Sequence, residues 1–474
     1  MRSAGPGLAR APLVIASDLL PGWSRSEPAI GVHGLPDDPT TGALTALMHR
    51  SAGVWVGRHP EHAHLVAGGS HHRVRLDQAV LEGYQSHTRE TIWPIYHNLV
   101  RPAEHDRHWR KNFSRASDRF ARTAAALAAP GGTVWLHDYQ LQLVPGLLRR
   151  LRPDLRIGIY LTTTFPPGDL IRQIPDHDEI VAGLLGADIV GFACTTAAEN
   201  FLQLRSDSTA SEAVRHTFRA ARETSVGVYP QSIDTAAVMA LAGQPAVAAR
   251  SAEFRSSLGL PATVLLSIDP PSDAAGVHAR LRTLRAMFAD RVINPDEVAV
   301  IQVMTADEQP STRDWISTIA REVAGINGQF ATIGRPCVHF THSSPSLAER
   351  VALYRAADAF VATPLRAGAS LSALEFVAAA RSGGALVLSE FSGTAGVLPE
   401  AFLVNPYDRD EIRRALTTAL NTSPAERGQR LGTMRAYVRG YDAHVWASLI
   451  LAALNNHWAT EMVVDAPDQL SGRR

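Results

Sequence analysis

Cysteine is nearly absent: Cys194 and Cys337 are the only two in 474 residues, each in an apolar, strand-like context (GFACTT and RPCVHF). That excludes a disulfide-stapled scaffold and a paired redox or metal motif, and it suits a reduced, cytoplasmic setting. Net charge is lacking too, because 46 basic side chains balance 46 acidic ones. No field steers such a chain to nucleic acid or acidic lipid, and neither is expected as a partner. No apolar run approaches the roughly 18–20 residues of a membrane span. Near the N-terminus, Arg2 and Arg10 accompany only the short run APLVIAS, which breaks at Asp18, so a secretory signal is not expected. What is present is globular material, 45% hydrophobic, at a length that favours two domains.

Short β-branched or apolar runs alternate with longer amphipathic stretches, the rhythm of parallel strands joined by crossover helices. Strands are expected at Leu13–Ala16, Val134–Leu136, Ile157–Leu161, Ile189–Phe192 and Val226–Tyr229. A second series follows at Val264–Ile268, Val298–Val303, Val338–Phe340, Ala359–Ala362, Ala385–Leu388 and Phe402–Val404. The fold class is therefore α/β, two doubly wound parallel-sheet domains with ligands bound in the cleft outside the carboxyl ends of their strands. The break is expected at Tyr229-Pro230, giving domains over residues 10–230 and 231–440. A helix at about 441–456, apolar at Val445, Trp446, Leu449 and Ile450, would cross back to the first domain, and 457–474 reads as a polar tail.

Specific strings go further. Val134 to Leu141 reads VWLHDYQL and leads into LVPGLLRRLRPDLRIGIYL; WPIYH stands at Trp93, GLLGADIVGF at Gly183, LYRAADAFVATPLR at Leu353 and LVLSEFSGTAG at Leu386. In that order, from about Pro12 to Leu454, the chain resembles the trehalose-6-phosphate synthases, retaining glycosyltransferases of the GT-B fold with two facing Rossmann-like domains. The resemblance implies a nucleoside diphosphate glucose against the second domain and glucose 6-phosphate against the first. It implies no cofactor.

Carried over residue by residue, the likeness gives a divided result. Tyr84, Trp93 and Asp138 match the family's acceptor-sugar contacts, and Gly42, Gly368, Leu371 and Glu375 match nucleotide-side positions, the glutamate holding the ribose. Asp138 alone would read as a helix N-cap, Trp93 as a core aromatic and Glu375 as a solvated helix-face residue. Elsewhere the family's charged groups are replaced. Pro270 and Ala275 stand where an arginine and a lysine grip the diphosphate, Thr162 where a histidine meets the donor sugar, and Ala367 where an aspartate holds sugar hydroxyls. Asp18 takes the place of the arginine on the acceptor phosphate, and an aspartate there is expected to repel a dianion. The second phosphate arginine falls in Ala306 to Glu308, without a cation, though Arg313 follows.

Charge on a departing diphosphate must be met by donors, and each lost donor costs a few kcal/mol of transition-state stabilisation. The expectation is therefore a synthase-like chain impaired in glucosyl transfer, binding a sugar or sugar nucleotide or partnering an active synthase subunit or a second copy of itself. The rival is an active, divergent glycosyltransferase or pseudo-glycosyltransferase of specialised metabolism; ordinary trehalose-6-phosphate synthesis, rescued by nearby arginines such as Arg366, ranks last. His59, His62, His64, His71 and His72 lack a fixed ligand spacing, so no metal is expected.

Overall fold

The computed structural model describes residues 10–20, 44, 48, 51–58, 70–206, 224–259, 262–306 and 310–456. Two parallel sheets organise them. The first has seven strands, β1 (Ala11–Leu19), β2 (Val54–Arg58), β3 (Ser70–Arg73), β4 (Ala128–His137), β5 (Arg156–Leu161), β6 (Ile189–Phe192) and β7 (Ser225–Val228), in the order β3-β2-β1-β4-β5-β6-β7. The second has six, β8 (Thr263–Asp269), β9 (Val298–Met304), β10 (Val338–His342), β11 (Ala359–Ala362), β12 (Ala385–Ser389) and β13 (Phe402–Val404), in the order β10-β9-β8-β11-β12-β13. Both orders reverse direction beside the first strand, the signature of double winding.

The central strands carry apolar side chains on both faces because helices cover both. Val134, Trp135 and Leu136 of β4 are each fully buried, as are Val264 and Leu266 of β8. Every expected strand is present. β2 and β3 were not anticipated: β3 is the SHHR segment, which carries no apolar run, and it is a strand because it pairs with β2 from Val54↔Ser70 to Gly57↔Arg73. His71 and His72 lie on that strand, while His59, His62 and His64 fall outside the described residues.

The helix Ala443–Asn456 packs on the first sheet. Trp446, fully buried, meets Trp135 at 5.4 Å and Tyr160 at 5.1 Å, both edge-on, and Leu454 fills the space over Gly158. The outgoing and returning chains are tied together between the sheets: Ser232 Oγ donates to the Tyr441 carbonyl (2.6 Å), Thr235 Oγ1 to that of Val438 (2.9 Å), and Ala443 N to that of Ile233 (2.9 Å). Among the described residues no helix is long and apolar enough to cross a membrane.

Candidate active site

The carboxyl ends of the two sheets meet. On the first sheet, β4 ends at His137 and the next residue, Asp138, has φ of +75°, a backbone region that non-glycine residues rarely adopt. Its carboxylate caps the single 3-10 turn Tyr139–Leu141, accepting from Tyr139 N at 2.8 Å. It also accepts from the Thr162 amide (3.2 Å) and hydroxyl (2.5 Å) at the end of β5. Thr162 thus holds Asp138 in place, and both are almost fully buried.

Asp18 ends differently from the expectation of a bare negative charge. Its two oxygens accept from Arg58 Nε and Nη2, each at 2.8 Å, and from the Tyr84 hydroxyl at 2.8 Å. Arg58 also lies over the Tyr84 ring, 5.6 Å from its centroid. The pair arises because β1 and β2 are neighbours with Leu19 opposite Arg58. Asp18 is therefore neutralised by a bidentate guanidinium, and repulsion of an anion by an isolated carboxylate does not follow. Tyr84 is fully buried, and burial, followed by the charge of Asp18, pushes its hydroxyl well above the ordinary phenol range. Sequence reasoning missed Arg58; its only signal was an arginine closing the apolar run VWVG.

Trp93 is half-buried and stacks on His97 at 3.6 Å, next to Tyr96 and Tyr139. Tyr96 donates its hydroxyl to Gln142 Oε1 (2.5 Å). His97 is buried; burial lowers its pKa to about 4, its contact with the Trp93 carbonyl (3.0 Å) opposing and the charge of Arg366 assisting.

On the second sheet, β8 ends at Asp269, whose carboxylate receives Arg280 Nη2 and Gln302 Nε2, the latter at 2.8 Å. Arg280 is fully buried and spends Nη1 on Thr363 Oγ1 (2.8 Å). The loop from Pro270 to Gly276 holds no cation. Pro270 is half-exposed, whereas the Ala275 methyl is buried in the core between the sheet and its helices. The loop's own charge, Asp273, pairs across the divide with Arg101 at 3.3 Å. Gly276 has φ of +69°, and a β-carbon there would stand 1.9 Å from the Thr363 carbonyl oxygen.

The loop after β11 completes the site. Leu365 N donates to Ala274 O (2.7 Å), Ala367 N to Phe391 O (3.2 Å), and Gly393 N to Ala367 O (2.9 Å). Gly368 lies under the end of β5, and Leu371 opens the helix Leu371–Ala379. Glu375, four residues on, is not a solvated helix-face residue: it is 1% exposed, with Arg350 Nε (3.0 Å), Arg350 Nη2 (2.9 Å) and the Tyr354 hydroxyl (2.8 Å) on its carboxylate. Arg366 reaches across to the first half, to the turn after the helix Trp93–Tyr96. With the Asn98 amide nitrogen donating to the Ile95 carbonyl, the Asn98 oxygen accepts from Arg366 Nη1 at 3.2 Å. Gly42, Asp307 and Glu308 lie outside the described residues, and Arg313 is exposed. The structure thus brings Asp138, Thr162, Gly368, Arg366 and the Pro270 loop together, with Asp18 and Tyr84 paired at the end of β1.

The chain matches the family model described as Glycosyltransferase family 20 over residues 62–456. It is 38% identical over 432 residues to a protein of Mycolicibacterium smegmatis named trehalose-6-phosphate synthase, covering 87% of this chain and 86% of that one. A protein of the same name from Mycobacterium tuberculosis is 36% identical over 462 residues, 90% of this chain and 92% of that one. A crystal structure of an alpha,alpha-trehalose-phosphate synthase (UDP-forming) from Burkholderia vietnamiensis superposes with a TM-score of 0.83 at 27% identity, covering 95% of this chain and 98% of that one. Relatives this similar over nearly their whole length, all carrying the synthase name, overturn the expectation of an impaired, regulatory paralogue. They lend nothing to the specialised-metabolism rival. The reading ranked last is the one they support.

Proposed function

The chain belongs to glycosyltransferase family 20, and we propose that it is an active synthase, moving a glucosyl group from a nucleoside diphosphate glucose to glucose 6-phosphate. The bond from the sugar's anomeric carbon to the diphosphate breaks with its electron pair leaving on the diphosphate, a bond to the anomeric oxygen of glucose 6-phosphate forms, and the acceptor hydroxyl's proton passes to the departing diphosphate. The observation that carries this reading is the likeness to curated synthases sustained along both sheets.

The arrangement at the carboxyl ends is compatible with that chemistry. Asp138, fixed by Thr162 and its own turn, offers a positioned carboxylate to sugar hydroxyls, with the half-buried Trp93 ring as an apolar wall beside it. Tyr84 acts there through Asp18, which it orients together with Arg58. On the donor side, Gly368 and Leu371 bring main-chain amides at the start of a helix, where the dipole favours phosphate oxygens. Glu375, closed off by Arg350 and Tyr354, supports that helix from within.

The test is direct. Purified protein is incubated with glucose 6-phosphate and either UDP-glucose or GDP-glucose, and both diphosphate release and the disaccharide phosphate are followed by NMR. Folded protein that forms neither product with either donor would refute the reading.

A further inference from the structure

We propose that Arg366 is the cation that neutralises the donor's diphosphate, the part that Pro270 and Ala275 cannot play. The assignment rests on the transferase reading above and adds the residue that makes it electrostatically workable. A departing diphosphate needs positive or hydrogen-bonding neighbours, and the loop nearest the end of β8 supplies no positive one: its charged member, Asp273, is negative and already paired with Arg101.

Position comes first. The amide of the residue before Arg366, Leu365, donates to Ala274 of that loop, and that of the residue after it, Ala367, to Phe391, two residues past the end of β12. Arg366 is therefore pinned beside the donor loop on one side and Gly368 on the other, where the two halves touch.

Charge comes second. The two fully buried arginines of the second half are already paired, Arg280 with Asp269 and Arg350 with Glu375. Arg366 has no carboxylate partner among the described residues. Its one identified partner is the neutral Asn98 oxygen, and its Nε is buried without an acceptor. Its charge bears on His97 and Cys194 from the first half and on Tyr407 from the second. A half-buried guanidinium has lost part of its hydration, and without a counter-charge it favours an anion entering the cleft. Its planar fork of donors suits adjacent phosphate oxygens.

The experiment is titration calorimetry of the full chain with UDP, GDP, inorganic pyrophosphate and uridine, for the wild type, Arg366→Gln and Arg366→Lys, alongside wild-type turnover. Expected is a 10- to 100-fold weaker Kd for diphosphates in Arg366→Gln, the scale of one charge-assisted contact, with uridine unaffected and Arg366→Lys in between. Circular dichroism of each variant confirms the fold. Wild-type diphosphate affinity in Arg366→Gln overturns the assignment and leaves the transferase reading standing. Equal losses for UDP and uridine also overturn it, since they mark a structural strut. A wild type that binds no diphosphate and turns over no donor sinks both.

Discussion

The carbonyl oxygen of Thr162 lies 1.9 Å from where a β-carbon on residue 368 would stand, so Gly368 is a glycine because the end of β5 presses on the loop after β11. The same loop is pressed from behind, where a β-carbon on Gly393 would stand 2.0 Å from the Gly368 oxygen. Thr162 therefore does two things: its side chain holds Asp138 and its main chain seats the second half against the first. The second role needs no imidazole.

Replacing Gly368 with alanine sets a methyl group against the main chain of Thr162 and Thr163, and backbone cannot swing aside as a flexible side chain can. The halves must separate by a fraction of the overlap. Misplacing reacting groups by about 1 Å can cost about 100-fold in rate. Gly368→Ala is expected to lose transfer on that scale while its far-UV circular dichroism stays unchanged. Wild-type turnover in a steady-state assay would show that the working enzyme does not close on this contact.

Glu375 and Arg350 form an ion pair with 1% and 0% side-chain exposure. Removing one partner of such a pair leaves a buried charge and typically costs about 3–5 kcal/mol. Glu375→Ala is therefore expected to destabilise by that amount in urea unfolding, with the midpoint shifted and the slope kept. A carboxylate serving only a nucleotide would leave unliganded stability within about 0.5 kcal/mol of the wild type.

These cases show what could be read from the chain and what could not. Eleven of the thirteen described strands were read from the chain because parallel strands buried on both faces are largely apolar runs, as VWL in β4 and VLLSI in β8 are, whereas β2, with its run VWV, was missed. β3 is not legible, since SHHR carries no apolar run and is a strand only through pairing with β2. Asp18 was misjudged because its counter-charge comes from another strand, 40 residues away. Taken without the family likeness, Glu375 read as a wet helix-face residue because Arg350 lies 25 residues earlier, on a different helix. Weighing each missing side chain at its own position led toward an impaired protein. Charge acts through space, and the sequence does not state that Arg366 arrives beside the loop of Pro270.

Acid should weaken the fold through His97. Burial holds its pKa at about 4, below the roughly 6.5 of an unfolded histidine. Between those values the unfolded chain binds a proton that the folded one refuses, so stability present above about pH 6.5 drains as pH falls toward 4. The slope from this residue is about 1.4 kcal/mol per pH unit. Urea unfolding at several pH values across that window should give a wild-type slope steeper by this amount than that of His97→Phe. Parallel slopes would mean that the imidazole accepts its proton in the folded state.

The donor loop offers a test by addition. Pro270 is half-exposed, whereas Ala275 is 4% exposed and packed among Val277, Leu281 and their neighbours. An arginine at 270 can extend toward the cleft at little cost in stability. A lysine at 275 must bury four methylenes and a charge in a filled core, where overpacking alone costs about 1–3 kcal/mol. Pro270→Arg is expected to tighten UDP binding roughly tenfold, one charge-assisted contact, with little change in unfolding midpoint. Ala275→Lys is expected to lower that midpoint without tightening UDP. If the lysine variant instead binds diphosphate more tightly at wild-type stability, residue 275 faces the ligand, and the absence of a cation there is a real deficit that Arg366 only partly offsets.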